Sequence, residues 1–225
     1  DAIDCPAGVM PVVLAPATSG ILIHEAVGHG LEADFNRKGV SAYSGQVGTR
    51  VASPHVTLVD DPLRAGGPAS RGFDDEGLAT RRHVVVRRGE LRGFLLDTAS
   101  ARRLDLRPTA SAGGGGGLVH ATTSNFHMQA GRRGPRALLA GIRRGLYVRA
   151  TLGLGFDPGT GHFSRGAEGV LIEDGVLTRP VAEVTISREL DALLHGIDAV
   201  ADDFELRTAI ASPSFRVDAM TVAGT

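Results

Sequence analysis

Two imidazoles and a carboxylate crowd one short run, Ile21-Leu-Ile-His24-Glu25-Ala-Val-Gly-His29-Gly-Leu-Glu32, and no other stretch brings such groups so close on one predicted helix. A neutral imidazole offers a ring nitrogen to a zinc ion, and a glutamate beside the first histidine can take a proton from water on that ion. The chemistry indicated is metal-assisted hydrolysis, with His24 and His29 as ligands and Glu25 as general base. The spacing sets a condition. Residues five apart diverge by about 140° on a regular helix of roughly 100° per residue, too far to share one ion. A π-type widening or a break at Gly28 would realign them, so joint binding predicts an irregular helix near residues 27–30. The same residues read equally as a buried helix whose histidines bond to backbone.

The elements that must hold this run can be followed along the chain. Val9 to Ala15 is an apolar strand leading into the helix, with Pro11 marking a sheet edge or a strand start. Ala17-Thr18-Ser19-Gly20 offers hydroxyl N-caps, and the helix closes by Asn36 to Gly39. Val56 to Val59 is a strand and Leu63 to Gly72 a loop. His83 to Arg87 and Leu91 to Leu96 form a hairpin, and Thr98 to Leu104 a short helix. Residues 108–117, with five consecutive glycines at Gly113 to Gly117, form a mobile loop, without the motif context of a phosphate cradle.

Further on, Pro135 to Arg144 reads as a helix stopped by Gly145, Leu146 to Leu154 as a strand, and Asp157 to Gly161 as a turn. Gly169 to Ile172 and Val176 to Ile186 flank Glu173-Asp174-Gly175 in a second hairpin. Ser187 to Val200 has a helical stripe of Leu190, Leu193, Leu194 and Ile197, and Phe215 to Val222 alternates like a closing strand. Hairpins with separated helices make an α+β fold: a mostly antiparallel sheet, a metal-site helix near the N-terminus and a few further packing helices, in one domain over residues 1–225.

The run from His24 to Phe35, continued by Asn36-Arg37-Lys38-Gly39 and by Tyr43 to Gly48, resembles the metal-binding segment of the TldD/PmbA family, in its TldD-type metallopeptidase branch. The resemblance continues in order through Val59-Asp-Asp-Pro62, Phe73 to Gly77, Gly145-Leu-Tyr147, Val170 to Gly175 and Met220 to Thr225, and so covers nearly the whole chain from about Pro11. It implies the C-terminal half of that family, with the metal helix over a large antiparallel sheet. It also implies a zinc-dependent peptidase acting on small or unfolded peptides, with the ligand and base roles given above. A partner is implied too: a homodimer, or a heteromer with a PmbA-type subunit lacking the H-E-x-x-x-H motif. The family's N-terminal half has no counterpart in this sequence.

A catalytic zinc takes three protein ligands. The resemblance implies a cysteine late in the chain, shortly before the closing strand, but Ala201 to Pro213 contains none. Stand-ins are Asp202, Asp203, Glu205, His120, His127 and His162, while Cys5 reads as a free, inert thiol. His127 stands roughly where the family carries an aromatic hydroxyl. Asp74-Asp75-Glu76 matches the family pattern and reads either as support for the site or as a solvated acidic loop. The second reading of the whole is therefore a non-catalytic scaffold or partner subunit that keeps the fold without the third ligand.

Composition bounds these readings. With 225 residues, 42% hydrophobic content and a formal charge of −1, the chain can bury a substantial core. The near-neutral balance argues against a nucleic-acid surface. Lys38 is the only lysine among 24 basic residues, and the arginines are scattered. One cysteine allows no internal disulfide, no apolar run reaches the ~18 residues of a membrane span, and the first residues lack a signal-peptide pattern. The expected location is the cytoplasm.

Overall fold

The computed structural model describes residues 2–28, 31–32, 43–114, 119–153, 155–157 and 161–224. Alternating runs of the sequence become strands, in the order β1 (Gly8–Leu14), β2 (Leu58–Asp60), β3 (His83–Arg87), β4 (Glu90–Leu91), β5 (Ala112–Gly113), β6 (His120–Ala121), β7 (Phe126–Met128), β8 (Arg144–Leu152), β9 (Phe156–Asp157), β10 (His162–Glu173), β11 (Val176–Glu189), β12 (Ile197–Val200), β13 (Ile210–Ala211) and β14 (Phe215–Gly224). Between them lie α1 (Pro16–Ile23), a π turn (His24–Gly28), α2 (Thr98–Arg103), a 3-10 turn (Pro135–Leu138) and α3 (Leu190–His195).

The largest sheet runs β1-β8-β10-β11-β14-β12, and β1 also pairs with β14. That extra pairing closes β1, β8, β10, β11 and β14 into a barrel-like ring, antiparallel except between β1 and β8. The second sheet runs β13-β7-β2-β3-β4 and is antiparallel except between β13 and β7. The fold is mostly antiparallel and strand-rich, with few helices. The main apolar core draws on both sheets: Val12, Leu14, Phe163 and Phe215 from the first pack in one cluster with Leu58, Val86, Phe126 and Met128 from the second.

Turn chemistry set both hairpins. Arg88 and Gly89 take φ of 49° and 82°, and Asp174 and Gly175 take 47° and 79°, the paired left-handed residues a two-residue hairpin needs. The second arm of the first hairpin is shorter than expected, because only Glu90 and Leu91 pair with β3 and Arg92 to Leu96 leave the sheet. Asp97 caps α2 by accepting from the Ser100 amide.

Four expectations need correction. Pro11 does not mark an edge: β1 has partners on both sides, and the proline sits where the register slips between Met10 and Val12, a bulge that needs no donor from it. The hydroxyls of Thr18 and Ser19 are not N-caps, since Ala15 is the cap residue and Pro16 opens the helix. Pro135 to Arg144 is only a 3-10 turn, because Gly141 turns left-handed (φ 79°) and β8 begins at Arg144. Leu138 and Ile142 are buried all the same. Ser187 to Val200 divides into the end of β11, six residues of helix, and β12. Strand pairing of β12 to β14 outweighs helical propensity, while Leu190, Leu193, Leu194 and Ile197 stay buried.

The expected helix end at Asn36 to Gly39, most of the glycine tract, and the middle of the 157–161 turn lie outside the described residues. No helix among the described residues is long and apolar enough to cross a membrane.

Candidate functional site

The helix carrying the candidate chemistry is pinned before it reaches His24. Thr18 Oγ1 donates to the Arg149 carbonyl at 3.0 Å, and Ser19 Oγ lies 2.9 Å from the carbonyls of both Pro16 and Pro213. Gly20 lets β13 approach, for a Cβ there would stand 3.4 Å from Ala211 Cα and 3.5 Å from the Ser212 nitrogen. Residues 20 and 24 share a face of the helix, so the segment after β13 runs beside the turn that ends at His24.

At His24 the helix widens. His24 to Gly28 form a π turn directly after the regular turns of α1, beginning three residues before the stretch where the spacing asked for irregularity and overlapping it at Val27 and Gly28. An i→i+5 turn brings residues five apart towards one face. The His24 ring lies over Gly28, where a Cβ would be 3.0 Å from His24 Cδ2 and 3.6 Å from Phe126 Cε1. Glycine at 28 therefore makes room for the imidazole between the turn and β7. His29 lies outside the described residues.

Glu25 is held by a residue of β10. Arg165 Nη1 donates to Glu25 Oε2 at 2.6 Å, and Arg165 Nη2 donates to the Gly153 carbonyl. The guanidinium is 7% exposed and the carboxylate 21%, so the pair is largely withdrawn from solvent. Arg165 Nε is buried and has no partner among the described residues. The sequence did carry a signal for this arginine: Phe163, Arg165 and Ala167 alternate on the buried face of β10, and a charge in that row calls for a buried partner.

The stand-ins for a third ligand are mostly occupied. Asp203 accepts from the Ser214 amide and hydroxyl, Glu205 pairs with Arg207, and His162 faces Glu189 at 3.0 Å. Asp202 and His120 are exposed, and His127 is buried with Nδ1 against the Asn125 carbonyl. Burial pushes the Cys5 thiol up, against a smaller opposing effect of Arg144, which suits an unreactive thiol. Among the described residues no group of three His, Cys, Asp or Glu could hold an ion.

The acidic triplet builds a loop. Asp74 Oδ1 accepts from the amides of Glu76 and Leu78 and Oδ2 from Ala112, while Glu76 accepts from the amide and hydroxyl of Thr98. Asp75 accepts from the Gly114 amide and lies 3.5 Å from Arg71.

Known proteins share this sequence and fold. Residues 7–224 match the family described as the PmbA/TldA metallopeptidase C-terminal domain. The chain is 35% identical over 242 residues to a TldD metalloprotease homologue of Haemophilus influenzae, covering 100% of the chain and 50% of that protein. It is also 35% identical to a metalloprotease of Methanocaldococcus jannaschii, over 90% of the chain and 45% of the relative. A PmbA metalloprotease homologue of Haemophilus influenzae is 33% identical over 79% of the chain and 38% of its own length. Among solved structures, a protein of Thermotoga maritima described as a modulator of DNA gyrase superposes with TM-score 0.89 at 28% identity, over 99% of this chain and 51% of that one. TldE of Thermococcus kodakarensis shares the fold at TM-score 0.91 and 22% identity, covering 100% and 52%. The chain spans about half the length of the curated relatives it matches. It belongs to the TldD/PmbA metallopeptidase family, in the region that forms the family's C-terminal domain.

Proposed function

We propose that this chain carries the catalytic half of a zinc-dependent peptidase, with His24 and His29 as metal ligands and Glu25 as the general base. The observation that carries the reading is the π turn at His24 to Gly28, the distortion that two histidines five apart require if they are to face one ion. The donor chemistry fits zinc: an imidazole with space made for it by Gly28. When bound, zinc supplies an acidified water and polarises the scissile carbonyl.

The rest is done by the chain's own residues. Arg165 fixes Oε2 of Glu25, which leaves Oε1 to accept the proton from water and later pass it to the leaving amine. The buried arginine also holds the carboxylate in one orientation through the cycle, so the base needs no search for its position. The third ligand comes from outside the trio and is the point on which activity depends. Names of the relatives support peptides as substrates, and the occurrence of both TldD and PmbA relatives supports assembly with a PmbA-type subunit. The core shared by both sheets supports one domain over the chain.

A second reading, a non-catalytic scaffold subunit, is favoured by one observation: the late cysteine that the family resemblance implies is missing from Ala201 to Pro213. Peptide cleavage by the assembled protein separates the two. Glu25→Gln should lower kcat by about 10²–10⁴ if Glu25 is the base, whereas a scaffold cleaves nothing with either residue.

A further inference from the structure

A polar cavity lies away from the His24 helix, on the far side of β7. Alternation along that strand sends Phe126 towards Gly28 and its neighbour His127 the opposite way, into a pocket of about 330 Å³. His127 is 5% exposed. Its Nδ1 lies 3.0 Å from the Asn125 carbonyl, which can only accept, so Nδ1 carries the proton and the neutral ring presents a bare Nε2. Burial, reinforced by Arg64 and Arg82, pushes its pKa down, against the opposing Asn125 bond and Asp61.

Donors stand around this acceptor. The Arg64 guanidinium lies 5.1 Å over the Phe204 ring, and that ring sits 5.2 Å from the imidazole at 46°. The contact with the ring face uses none of the guanidinium N–H groups, and among the described residues Arg64 has no carboxylate partner. Arg82 reaches Asp61 only at 3.7 Å, while Asp61 already accepts from the Leu63 amide at 3.2 Å. The cavity thus gathers two guanidiniums against one carboxylate and one neutral acceptor.

We propose that this pocket binds an oxyanion that also carries a hydrogen-bond donor, with Arg64 and Arg82 taking the oxygens and His127 Nε2 accepting the donor. Two ligands share that chemistry: a protonated phosphate, and the C-terminal carboxylate of a peptide with its own amide N–H. A bare anion such as sulfate satisfies the arginines and leaves His127 unmet, which is the pocket's means of discrimination. The assignment does not depend on the metal site or on peptidase activity.

Isothermal titration of the full chain with phosphate, N-acetylglycine and sulfate near neutral pH tests it. The expected result is saturable one-to-one binding of phosphate or N-acetylglycine, about ten-fold or more above sulfate, and weakened at least as much in Arg64→Gln and in Arg82→Gln. The tighter of the first two probes identifies the source of the oxyanion. Equal affinity for sulfate, binding unchanged in both variants, or no saturable binding below about 10 mM would overturn the assignment.

Discussion

Glu25 and Arg165, 140 residues apart in sequence, meet through one hydrogen-bonded ion pair of 2.6 Å that ties the helix after β1 to the buried face of β10. The carboxylate beside His24 is therefore placed by the barrel as much as by its own helix. Arg165→Met leaves the Glu25 carboxylate, 21% exposed, without its ion-pair partner and should cost about 1–3 kcal/mol, a loss read as a fall in Tm. Glu25→Gln combined with Arg165→Met should recover part of it, because the remaining group is then uncharged. On peptide substrate, Arg165→Met should lower kcat by about 10- to 100-fold with KM and metal content little changed, and Arg165→Lys should restore part of the rate. A fall in Tm with kcat intact would leave the arginine a purely structural role.

Gly28 is the second test of local geometry. A methyl group there would sit 3.0 Å from His24 Cδ2, with Phe126 behind it, so the imidazole must move. Gly28→Ala should weaken zinc binding by about ten-fold or more, measured by competition with a chromophoric chelator, and cost less than about 1.5 kcal/mol of stability.

Ser212 follows β13 where that strand lies against Gly20, one helical turn before His24. If the turn after α1 holds a metal, its third donor has to come from a segment beside the helix, and the backbone at residues 211–212 is one such segment. Ser212→Cys should tighten cobalt binding by about ten-fold or more and add a thiolate-to-cobalt charge-transfer band. An unchanged spectrum would put the third donor elsewhere.

Asp60 gives the clearest pH dependence. It is 2% exposed, and burial pushes its carboxyl up to about 6 from an ordinary 3.8, against the Ser124 amide that donates to it at 2.6 Å. A carboxyl raised on folding binds more protons in the folded state, so its contribution is full below pH ~4 and is lost as pH rises through about 6. The penalty at neutral pH is on the order of 2–3 kcal/mol, at 1.36 kcal/mol per unit. Asp60→Asn keeps an acceptor for the Ser124 amide and should raise Tm at pH 7.5 by several degrees while leaving it nearly unchanged at pH 4.

Much of this was legible in the residues. Both hairpins rest on turn chemistry visible as Arg88-Gly89 and Asp174-Gly175, and the closing strand on its alternation. The π turn followed from a spacing that no regular helix satisfies. What escaped was non-local. Pro11 read as an edge or a strand start because nothing in β1 announces that β14 returns to close the ring, and the Leu190 to Ile197 stripe read as one helix because β12 becomes a strand only through β14. Arg165 was hidden for the same reason: its partner lies on another element, and only the charge in an apolar row of β10 hinted at it.

If His24 and His29 grip one zinc ion beside Glu25, the metal travels with the protein through purification. Elemental analysis of purified wild type, His24→Ala and His29→Ala at neutral pH reads this out. The expected result is close to one zinc per chain in the wild type and loss of nearly all of it in each variant, with the fold retained by circular dichroism. A well-folded wild type that takes up no zinc, or one that keeps its full complement after either substitution, would contradict it.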